Sequence, residues 1–314
     1  MIPEFANPFA YMVKRYGVYL LYPLLAAGFF LLYKKAGGKA LVLGLAGFVI
    51  LVLLLGYLGQ KFLIFYPLQE VEATPAKHDV PFSETRIATS DGESLFAWFV
   101  PGEADKPVVL FCHGNASTIS EPSYLRFLEL VHEMGISVLI FDYRGFGRST
   151  GTPSEEGTYR DAEAAWEYLR ESRGVAPGDI VIWGKSLGGG PASYLASSHP
   201  DCRALILEST FTSIPDVAQR LIPFIPTSRI INHEYPVESR VGELGCPLLV
   251  MHSPQDETIP YDLGRRLYAR ASEPKRFLEL QGGHVWGLHN SREKAAPVLR
   301  DFILSPPRSG AEEE

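Results

Sequence analysis

The sequence contains little cysteine. Its 314 residues include three cysteines, and no two of them have the CxxC spacing. An odd number without paired spacing argues against a disulfide framework. Cys112 and Cys246 lie in or beside apolar, strand-like segments, where a small buried thiol is the usual interpretation. His113, His252 and His284 could be considered as zinc ligands, but no HExxH or similar spacing supports this, so we predict neither a metal nor another cofactor.

Clusters of basic residues are missing as well. The net charge is −7, and no run of Lys and Arg resembles a stripe that follows a nucleic-acid backbone. We therefore predict no nucleic-acid partner. Hydrophobic residues make up 46% of the chain and charged residues 21%, which allows a substantial folded core. Acidic residues are almost absent from the first 70 residues, so this part of the chain differs from the rest.

Two long uncharged stretches occupy this N-terminal part. Residues 16–33 form an apolar stretch of 18 residues that includes Pro23, and residues 40–60 form one of 21. A helix that crosses about 30 Å of hydrocarbon needs about 20 residues, so the second stretch is long enough and the first is marginal. We predict that residues 1–70 are a membrane anchor with two transmembrane helices. The alternatives are one span with the first stretch in the interface or re-entrant, and a cleaved signal peptide followed by an anchor.

The predicted anchor does not show which side of the membrane the rest of the chain occupies. Basic residues mark the cytoplasmic side of a membrane protein, but here their number is the same on the two sides of the predicted hairpin. Three lie in the turn between the stretches (Lys34, Lys35 and Lys39), and three flank the stretches on the other side (Lys14, Arg15 and Lys61). A hairpin would put the N-terminus and the C-terminal domain on the same side. We predict an integral membrane protein whose remaining chain lies in the aqueous phase close to the bilayer.

From residue 71 onwards, short apolar runs alternate with helix-like segments. The clearest runs cover residues 107–112, 137–142, 179–184, 204–209, 247–252 and 276–281. Strands that are buried on both faces and joined by helices are typical of a mostly parallel α/β sheet. Asp91-Gly92 separates two further strand-like runs within residues 85–100 and predicts an antiparallel hairpin. We predict one α/β domain over residues 71–304.

Two segments of this region depart from the alternation. Residues 211–240 contain four prolines among aromatic and aliphatic residues, which favours a short helical insert. We predict that this insert is a small cap over a functional site, with an irregular crossover as the alternative. Residues 305–314 are rich in Ser, Pro and Glu and predict a disordered tail.

A nucleophile motif follows one of the predicted strands. Residues 184–188 (GKSLG) match the pattern GxSxG, directly before a glycine-rich helix start. The turn between strand and helix is sharp, so the serine needs small neighbours, and the N–H groups of the following helix favour developing negative charge. We predict that Ser186 is a catalytic nucleophile. A glycine-rich turn without catalysis is the alternative.

Acid and base partners follow in the chain order expected for such a serine. Asp256 and His284 each lie a few residues past an apolar run. Residues at the carboxyl ends of parallel strands meet at one edge of the sheet. We predict that His284 is the general base and that Asp256 orients it. We expect Glu257 to face elsewhere, and we expect His289 to lie in the following helix.

Two N–H donors are needed to bind the negatively charged oxygen that forms during acyl transfer. Leu187, the residue after the nucleophile, is predicted to provide one of them. The other is predicted to be the Asn115 amide, in the loop after the run 107–112. A structural turn is the alternative interpretation of this loop. The glycine-rich segment 142–149 (DYRGFGRS) is expected to brace neighbouring loops rather than to catalyse.

Several of these motifs together resemble the α/β-hydrolase family, and more narrowly its Bem46-like branch of ABHD-type serine hydrolases with a membrane anchor. The segments are FCHGNA (111–116), DYRGFGRST (142–150), IWGKSLGGG (182–190), LESTFTSIPDVA (207–218), SPQDETIP (253–260) and GGHVWG (282–287). The resemblance extends over about residues 58–304. It implies an eight-stranded, mostly parallel sheet and a triad of Ser186, Asp256 and His284.

Three features depart from the pattern of that branch. The apolar stretch 16–33 is additional to the usual single anchor. His252-Ser253 replaces the more frequent His-Gly before the acid, and Val-Trp-Gly follows His284, which puts Trp286 near the predicted pocket. None of these changes removes a catalytic group.

Taken together, these observations favour hydrolysis of a carboxylic ester or thioester through an acyl-enzyme, without a metal or cofactor. Phe211, Phe224, Ile225 and Trp286 are candidates for an apolar pocket, which near a bilayer favours lipid-like acyl substrates. A serine peptidase of the same fold is one alternative. A membrane-tethered scaffold that keeps the shape without the chemistry is the other.

Overall fold

A computed structural model describes residues 42–51, 54, 56, 57 and 59–307 of the chain. The chain divides into two compact units, Met1–Gly59 and Gln60–Glu314. The predicted membrane stretch 16–33 lies outside the described residues, and so does the predicted tail from residue 308 onwards.

In the first unit, residues 42–51 are helical and most of their apolar side chains are exposed. Nowhere in the described part of the chain is a helix both long and apolar enough to cross a bilayer. The two transmembrane helices therefore stay predictions from the sequence.

The second unit is built on one sheet of eight strands in the order β1-β2-β4-β3-β5-β6-β7-β8. The strands are β1 Ser83–Ala88, β2 Ser94–Val100, β3 Val108–Cys112, β4 Ser137–Phe141, β5 Ile180–Lys185, β6 Ala204–Glu208, β7 Leu248–His252 and β8 Lys275–Glu279. β2 pairs antiparallel with β1 and β4, and all other neighbouring pairs are parallel. This confirms the predicted mostly parallel sheet and the hairpin around Asp91-Gly92.

Helices follow most of the strands. In this unit they are α1 Gln60–Ile64, α2 Pro122–Glu133, α3 Glu155–Glu167, α4 Gly189–Ser198, α5 Ile214–Leu221, α6 Val237–Val241, α7 Tyr261–Arg270, α8 Gly287–Asn290 and α9 Arg292–Leu304. A π-helical turn, Tyr168–Ser172, extends α3, and single 3₁₀ turns cover Pro75–His78, Pro177–Asp179, Ser186–Gly188 and Thr227–Arg229. Ser154 is the N-cap of α3 and Ser213 is the N-cap of α5. Each serine side chain accepts a backbone N–H of the first turn of its helix.

Side chains of the parallel strands alternate between two buried layers. Ile180 and Ile182 belong to the layer that packs against α3, α4 and α7, whereas Val181 and Trp183 belong to the layer that packs against α2 and α9. Burial on both faces is the reason why these strands are continuously apolar in sequence.

The segment 211–240 folds as short helices and turns. Its two ends are joined by hydrogen bonds from Ile214 N to Glu234 O (2.9 Å) and from Glu238 N to Thr212 O (3.0 Å). Its role as a cap over the site stays a prediction.

The strand order reverses at β3, which lies between β4 and β5. Connections that leave β3 and β5 therefore run in different directions, and the carboxyl ends of strands at such a point are where open α/β sheets bind ligands. The predicted triad and oxyanion residues follow β3, β5, β7 or β8 at this edge, whereas the pocket candidates Phe211 and Phe224 follow β6.

Candidate active site

Ser186 lies on the sharp turn between β5 and α4. Its φ of +54° is a left-handed conformation that residues other than glycine rarely adopt. A Cβ on Gly188 would collide with the carbonyl oxygen of Cys112, and a Cβ on Gly184 would lie 2.5 Å from the carbonyl oxygen of Gly188. Thr210 Oγ1 donates a hydrogen bond of 2.7 Å to the carbonyl oxygen of Ser186. Close packing thus requires both glycines of the motif, and the turn leaves the serine half-buried.

The structure brings Ser186, His284 and Asp256 together in one line of hydrogen bonds. His284 Nε2 lies 2.9 Å from Ser186 Oγ, and His284 Nδ1 lies 2.8 Å from Asp256 Oδ2. The other carboxylate oxygen of Asp256 accepts the backbone N–H groups of Thr258 (2.9 Å) and Ile259 (2.8 Å). Because Nδ1–H donates to the carboxylate, Nε2 is free to accept the serine proton.

His252 contacts the same carboxylate oxygen of Asp256 as His284 does. Its Nε2 lies 3.3 Å from Asp256 Oδ2 and 3.0 Å from the carbonyl oxygen of Ile259. Burial by itself would raise the pKa of Asp256, but the hydrogen bonds from His252, His284 and the Ile259 N–H outweigh it and lower the pKa below its ordinary value. The carboxylate is therefore ionised at neutral pH, as a group that orients an imidazole must be.

The loop after β3 lies directly beside the serine. A Cβ on Gly114 would be 3.3 Å from Ser186 Cβ. The side chain of Asn115 is hydrogen-bonded to the backbone of Ile64 and Tyr66. Its Nδ2 donates to Ile64 O (2.5 Å), and its Oδ1 accepts the N–H of Tyr66 (3.0 Å). Asn115 can therefore offer a substrate only its backbone N–H.

Leu187, the second predicted oxyanion donor, lies in the 3₁₀ turn Ser186–Gly188 that leads into α4. Its side chain is buried in the core layer against α4, so only its backbone is left to serve as the predicted donor. Backbone N–H groups at a helix start favour negative charge.

Two side chains without an assigned role contact the backbone on either side of His284. Glu257 Oε2 accepts the N–H of His284 (3.1 Å), so the expectation that Glu257 faces elsewhere is wrong. Lys185 Nζ donates to the carbonyl oxygen of Val285 (2.9 Å). The sequence signal for both was their position next to Asp256 and Ser186.

The predicted pocket side chains lie in different environments. Phe211 is 2% exposed and packs in the core near Tyr235, so it is a core residue and cannot line an open pocket as expected. Phe224 is 97% exposed. Trp286 is half-buried on the His284 loop, with its ring 5.6 Å from that of His289.

The segment after β4 braces neighbouring loops. Asp142 Oδ1 accepts the N–H of Ile119 (2.9 Å). Arg144 forms ion pairs with Asp91 (2.8 Å) and Asp161 (2.9 Å). These bonds connect the β1–β2 turn, the loop after β3 and helix α3, as the glycine-rich segment 142–149 was expected to do.

Comparison with known proteins identifies the family and the fold of the chain. The family description "alpha/beta hydrolase fold" matches residues 107–229. The alpha/beta hydrolase domain-containing protein WAV2 of Arabidopsis thaliana is 30% identical over 298 residues, which are 83% of this chain and 96% of WAV2. The lysophosphatidylserine lipase ABHD12 of Danio rerio is 32% identical over 259 residues, which are 73% of this chain and 66% of ABHD12.

The fold itself is shared with the Pyrococcus furiosus esterase Pf2001, with a TM-score of 0.65 and 20% identity over 76% of this chain and 97% of the esterase. The chain therefore belongs to the α/β-hydrolase family. Within that family it is of the ABHD type, and its activity is that of a hydrolase.

Proposed function

We propose that the protein is a membrane-anchored serine hydrolase that cleaves carboxylic ester or thioester bonds through an acyl-enzyme on Ser186. The observation that carries the proposal is the continuous line from Asp256 through His284 to Ser186, with distances of 2.8 Å and 2.9 Å. Nucleophile, base and orienting acid at these separations form a serine triad.

In the acylation step, Ser186 Oγ attacks the carbonyl carbon of the substrate while its proton moves to His284 Nε2. The Asp256 carboxylate stabilises the imidazolium that results. The oxygen of the tetrahedral intermediate accepts the N–H groups of Asn115 and Leu187, each of which contributes on the order of 3 kcal/mol. Collapse of the intermediate breaks the bond to the leaving group, which takes the proton from His284.

In the deacylation step, water repeats the attack on the acyl-enzyme. His284 Nε2 takes a proton from the water, and the bond between the acyl carbon and Ser186 Oγ breaks. The serine regains its proton, and a carboxylic acid leaves. No step calls on a metal or cofactor.

A lipid-like acyl substrate is the class that the chain favours. The apolar stretch 40–60 ends at Gln60, the first residue of α1, so a bilayer anchor would hold the site close to acyl lipids. The names of ABHD12, a lysophosphatidylserine lipase, and of Pf2001, an esterase, support ester hydrolysis in this fold. Fold alone does not select the substrate.

The test is labelling of the detergent-solubilised full chain with a fluorophosphonate probe. We expect wild type to be labelled, and we expect Ser186→Ala and His284→Ala to lose labelling by at least about a hundredfold, because residues of a triad act as a unit. A panel of acyl esters of increasing chain length, with aminoacyl amides beside them, then separates esterase from peptidase activity.

Matched controls lie close to each residue. Ser197→Ala removes an exposed serine of the same helix α4, and His289→Ala removes the exposed histidine five positions after His284. Both should label like wild type. Labelling that persists in Ser186→Ala, or no labelling of folded wild type, would overturn the proposal and favour a non-catalytic scaffold.

A further inference from the structure

A cluster of exposed apolar side chains lies in the segment 211–240. Phe224 is 97% exposed and Leu221 is 79% exposed, and Ile222 is exposed as well. We call Leu221, Ile222 and Phe224 the cap tip. Single exposed apolar residues are normal, but three within four positions form a patch that indicates an apolar partner.

The cap tip is held in an ordered turn. Ile222 N donates to Ala218 O (2.9 Å), and Gln219 Nε2 donates to Pro223 O (2.8 Å). Because the backbone on the N-terminal side of Phe224 is bonded in this way, the turn presents the ring outwards.

Gln60 connects this segment to the end of the predicted membrane stretch 40–60. Its side-chain Nε2 donates to Ile230 O (2.7 Å), and its Oε1 accepts the N–H of Asn232 (2.7 Å). Gln60 is buried, so losing either bond would leave a polar group unpaired. The segment that carries the cap tip is therefore fastened to the residue at which the apolar stretch ends.

Unpaired positive charge accompanies these apolar side chains. Lys61 and Arg229 are both exposed, and neither forms an ion pair with another residue in the described ranges. Phe62, next to Lys61, is 68% exposed. Basic side chains beside exposed apolar ones match lipid phosphates above acyl chains.

We propose that the cap tip inserts into the surface of a phospholipid bilayer, with Lys61 and Arg229 at the level of the headgroup phosphates. This inference rests on the proposed membrane anchoring. It goes beyond anchoring because it makes the cap a second membrane contact, through which an acyl lipid could reach the site without crossing water.

Full-length protein in phosphatidylcholine vesicles tests the insertion directly. A Phe224→Cys variant is labelled with an NBD fluorophore, which is selective because Cys112, Cys202 and Cys246 are buried. We expect blue-shifted emission and strong quenching by nitroxide-labelled lipids. The control is Glu171→Cys, which is exposed on the π-helical turn at the amino-terminal end of β5, away from the site, and should show neither.

A second arm measures turnover. Phe224→Asp should lower hydrolysis of a long-chain ester embedded in vesicles at least about tenfold more than it lowers hydrolysis of a water-soluble short ester, because the interface excludes charge. Phe224→Leu should behave like wild type with both esters. Equal NBD spectra at positions 224 and 171, or protein that does not float with the vesicles, would overturn insertion. Absence of short-ester turnover in wild type would instead contradict the proposed function, and the fluorescence result does not depend on it.

An independent observation concerns Lys185, whose charge lies inside the protein. Lys185 ends β5 and is in register with Glu208, which ends β6. Their side chains form an ion pair of 2.9 Å and are 7% and 1% exposed. Trp183 Nε1 donates to the other carboxylate oxygen of Glu208 (3.1 Å). Burying two charges is unfavourable unless they are paired in good geometry, so each of these two charges needs the other to be stable in the interior.

The ion pair extends to the loop that carries His284. Lys185 Nζ also donates to Val285 O (2.9 Å), while Glu257 accepts the N–H of His284 (3.1 Å). Side chains from the nucleophile strand and from the acid loop therefore bind the backbone at His284 itself and at the next residue, Val285.

We infer that Lys185 is a positioning residue, which keeps His284 Nε2 within reach of Ser186 Oγ and is itself held by its ion pair with Glu208. The inference deepens the proposed function and rests on it. A displacement of about 1 Å at a reacting group can lower turnover about a hundredfold. The bond from Lys185 to the carbonyl oxygen of Val285, one residue past His284, therefore affects the rate.

The test separates positioning from stability. Lys185→Met leaves the buried Glu208 without an opposite charge, because Trp183 is then its one remaining side-chain partner in the described part of the chain, and should lower both the melting temperature and kcat. Lys185→Met combined with Glu208→Leu removes the whole pair, and we expect it to regain thermal stability. Its kcat for a short ester should stay at least about tenfold below wild type with KM unchanged, because Val285 O still lacks its donor.

Recovery of kcat together with stability in the double variant would contradict positioning and leave the pair a structural one. Fluorophosphonate labelling of wild type in the same preparation shows whether the serine is activated at all. Loss of that labelling would count against the triad rather than against Lys185.

Discussion

His113 and Asp142 are buried next to each other below the loop after β3, with His113 Nε2 3.8 Å from Asp142 Oδ1. Burial raises the pKa of Asp142 to about 7, although hydrogen bonds from Ile119 and Arg148 oppose it. Burial also lowers the pKa of His113 to about 4. Both groups are therefore neutral over a pH range in which they would be charged in the unfolded chain.

The two groups affect stability in opposite directions. Between pH 3.8 and about 7 the folded state keeps a proton on Asp142 that the unfolded state releases, so this contribution falls as pH rises. Between about pH 4 and 6.5 the unfolded state protonates His113 and the folded state does not, so this contribution rises with pH. In wild type the two contributions partly cancel.

Asp142→Asn should remove the first contribution and leave the second. We expect the melting temperature of this variant to rise more steeply than that of wild type between pH 4.5 and pH 6.5, since each unit of pKa shift corresponds to about 1.4 kcal/mol. Thermal unfolding of the full chain in detergent at three pH values measures this. Parallel pH profiles for the two proteins would show that Asp142 is ionised in the folded state.

At the scale of elements, β5, β6 and β7 are apolar up to their last residue, which is polar in each case. These residues are Lys185, Glu208 and His252. Parallel strands end at one edge of the sheet, so the polar ends meet where the chemistry is predicted. Lys185 contacts the His284 loop, and His252 contacts Asp256. The apolar part of each strand provides the core, and its last residue supports the site.

At the scale of the whole molecule, the chain joins a first unit rich in apolar residues to a second unit with the α/β-hydrolase fold. The described helix 42–51 exposes apolar side chains such as Val42 and Leu43. Exposed apolar side chains along a helix are stable in lipid and unfavourable in water. This supports the predicted anchor, whose number of spans the sequence leaves open.

We expect the full chain to stay with reconstituted vesicles through flotation in high salt and in alkaline carbonate. Those conditions release proteins held by charge, but they do not release a helix inserted in hydrocarbon. Immunoblotting of the floated and the soluble fractions gives the result. Release by carbonate would contradict an integral anchor and leave only surface binding.

The sequence by itself determined the alternating α/β architecture and singled out Ser186, Asp256 and His284. It could do so because the signals are local: an apolar run predicts a buried strand, and GxSxG predicts a sharp turn. The glycines of the motif show the reason, since Gly184 and Gly188 lie where a side chain would meet backbone. At these two positions the GxSxG pattern and the packing of the surrounding backbone both require glycine.

Only the tertiary structure decided which side chains support those residues. Lys185 meets Val285 100 positions later in the chain, and Gln60 meets Ile230 after 170. Such contacts depend on strand order and register, which no local pattern contains. For the same reason Phe211 is in the core and Phe224 is on the protein surface, although both are equally apolar in sequence.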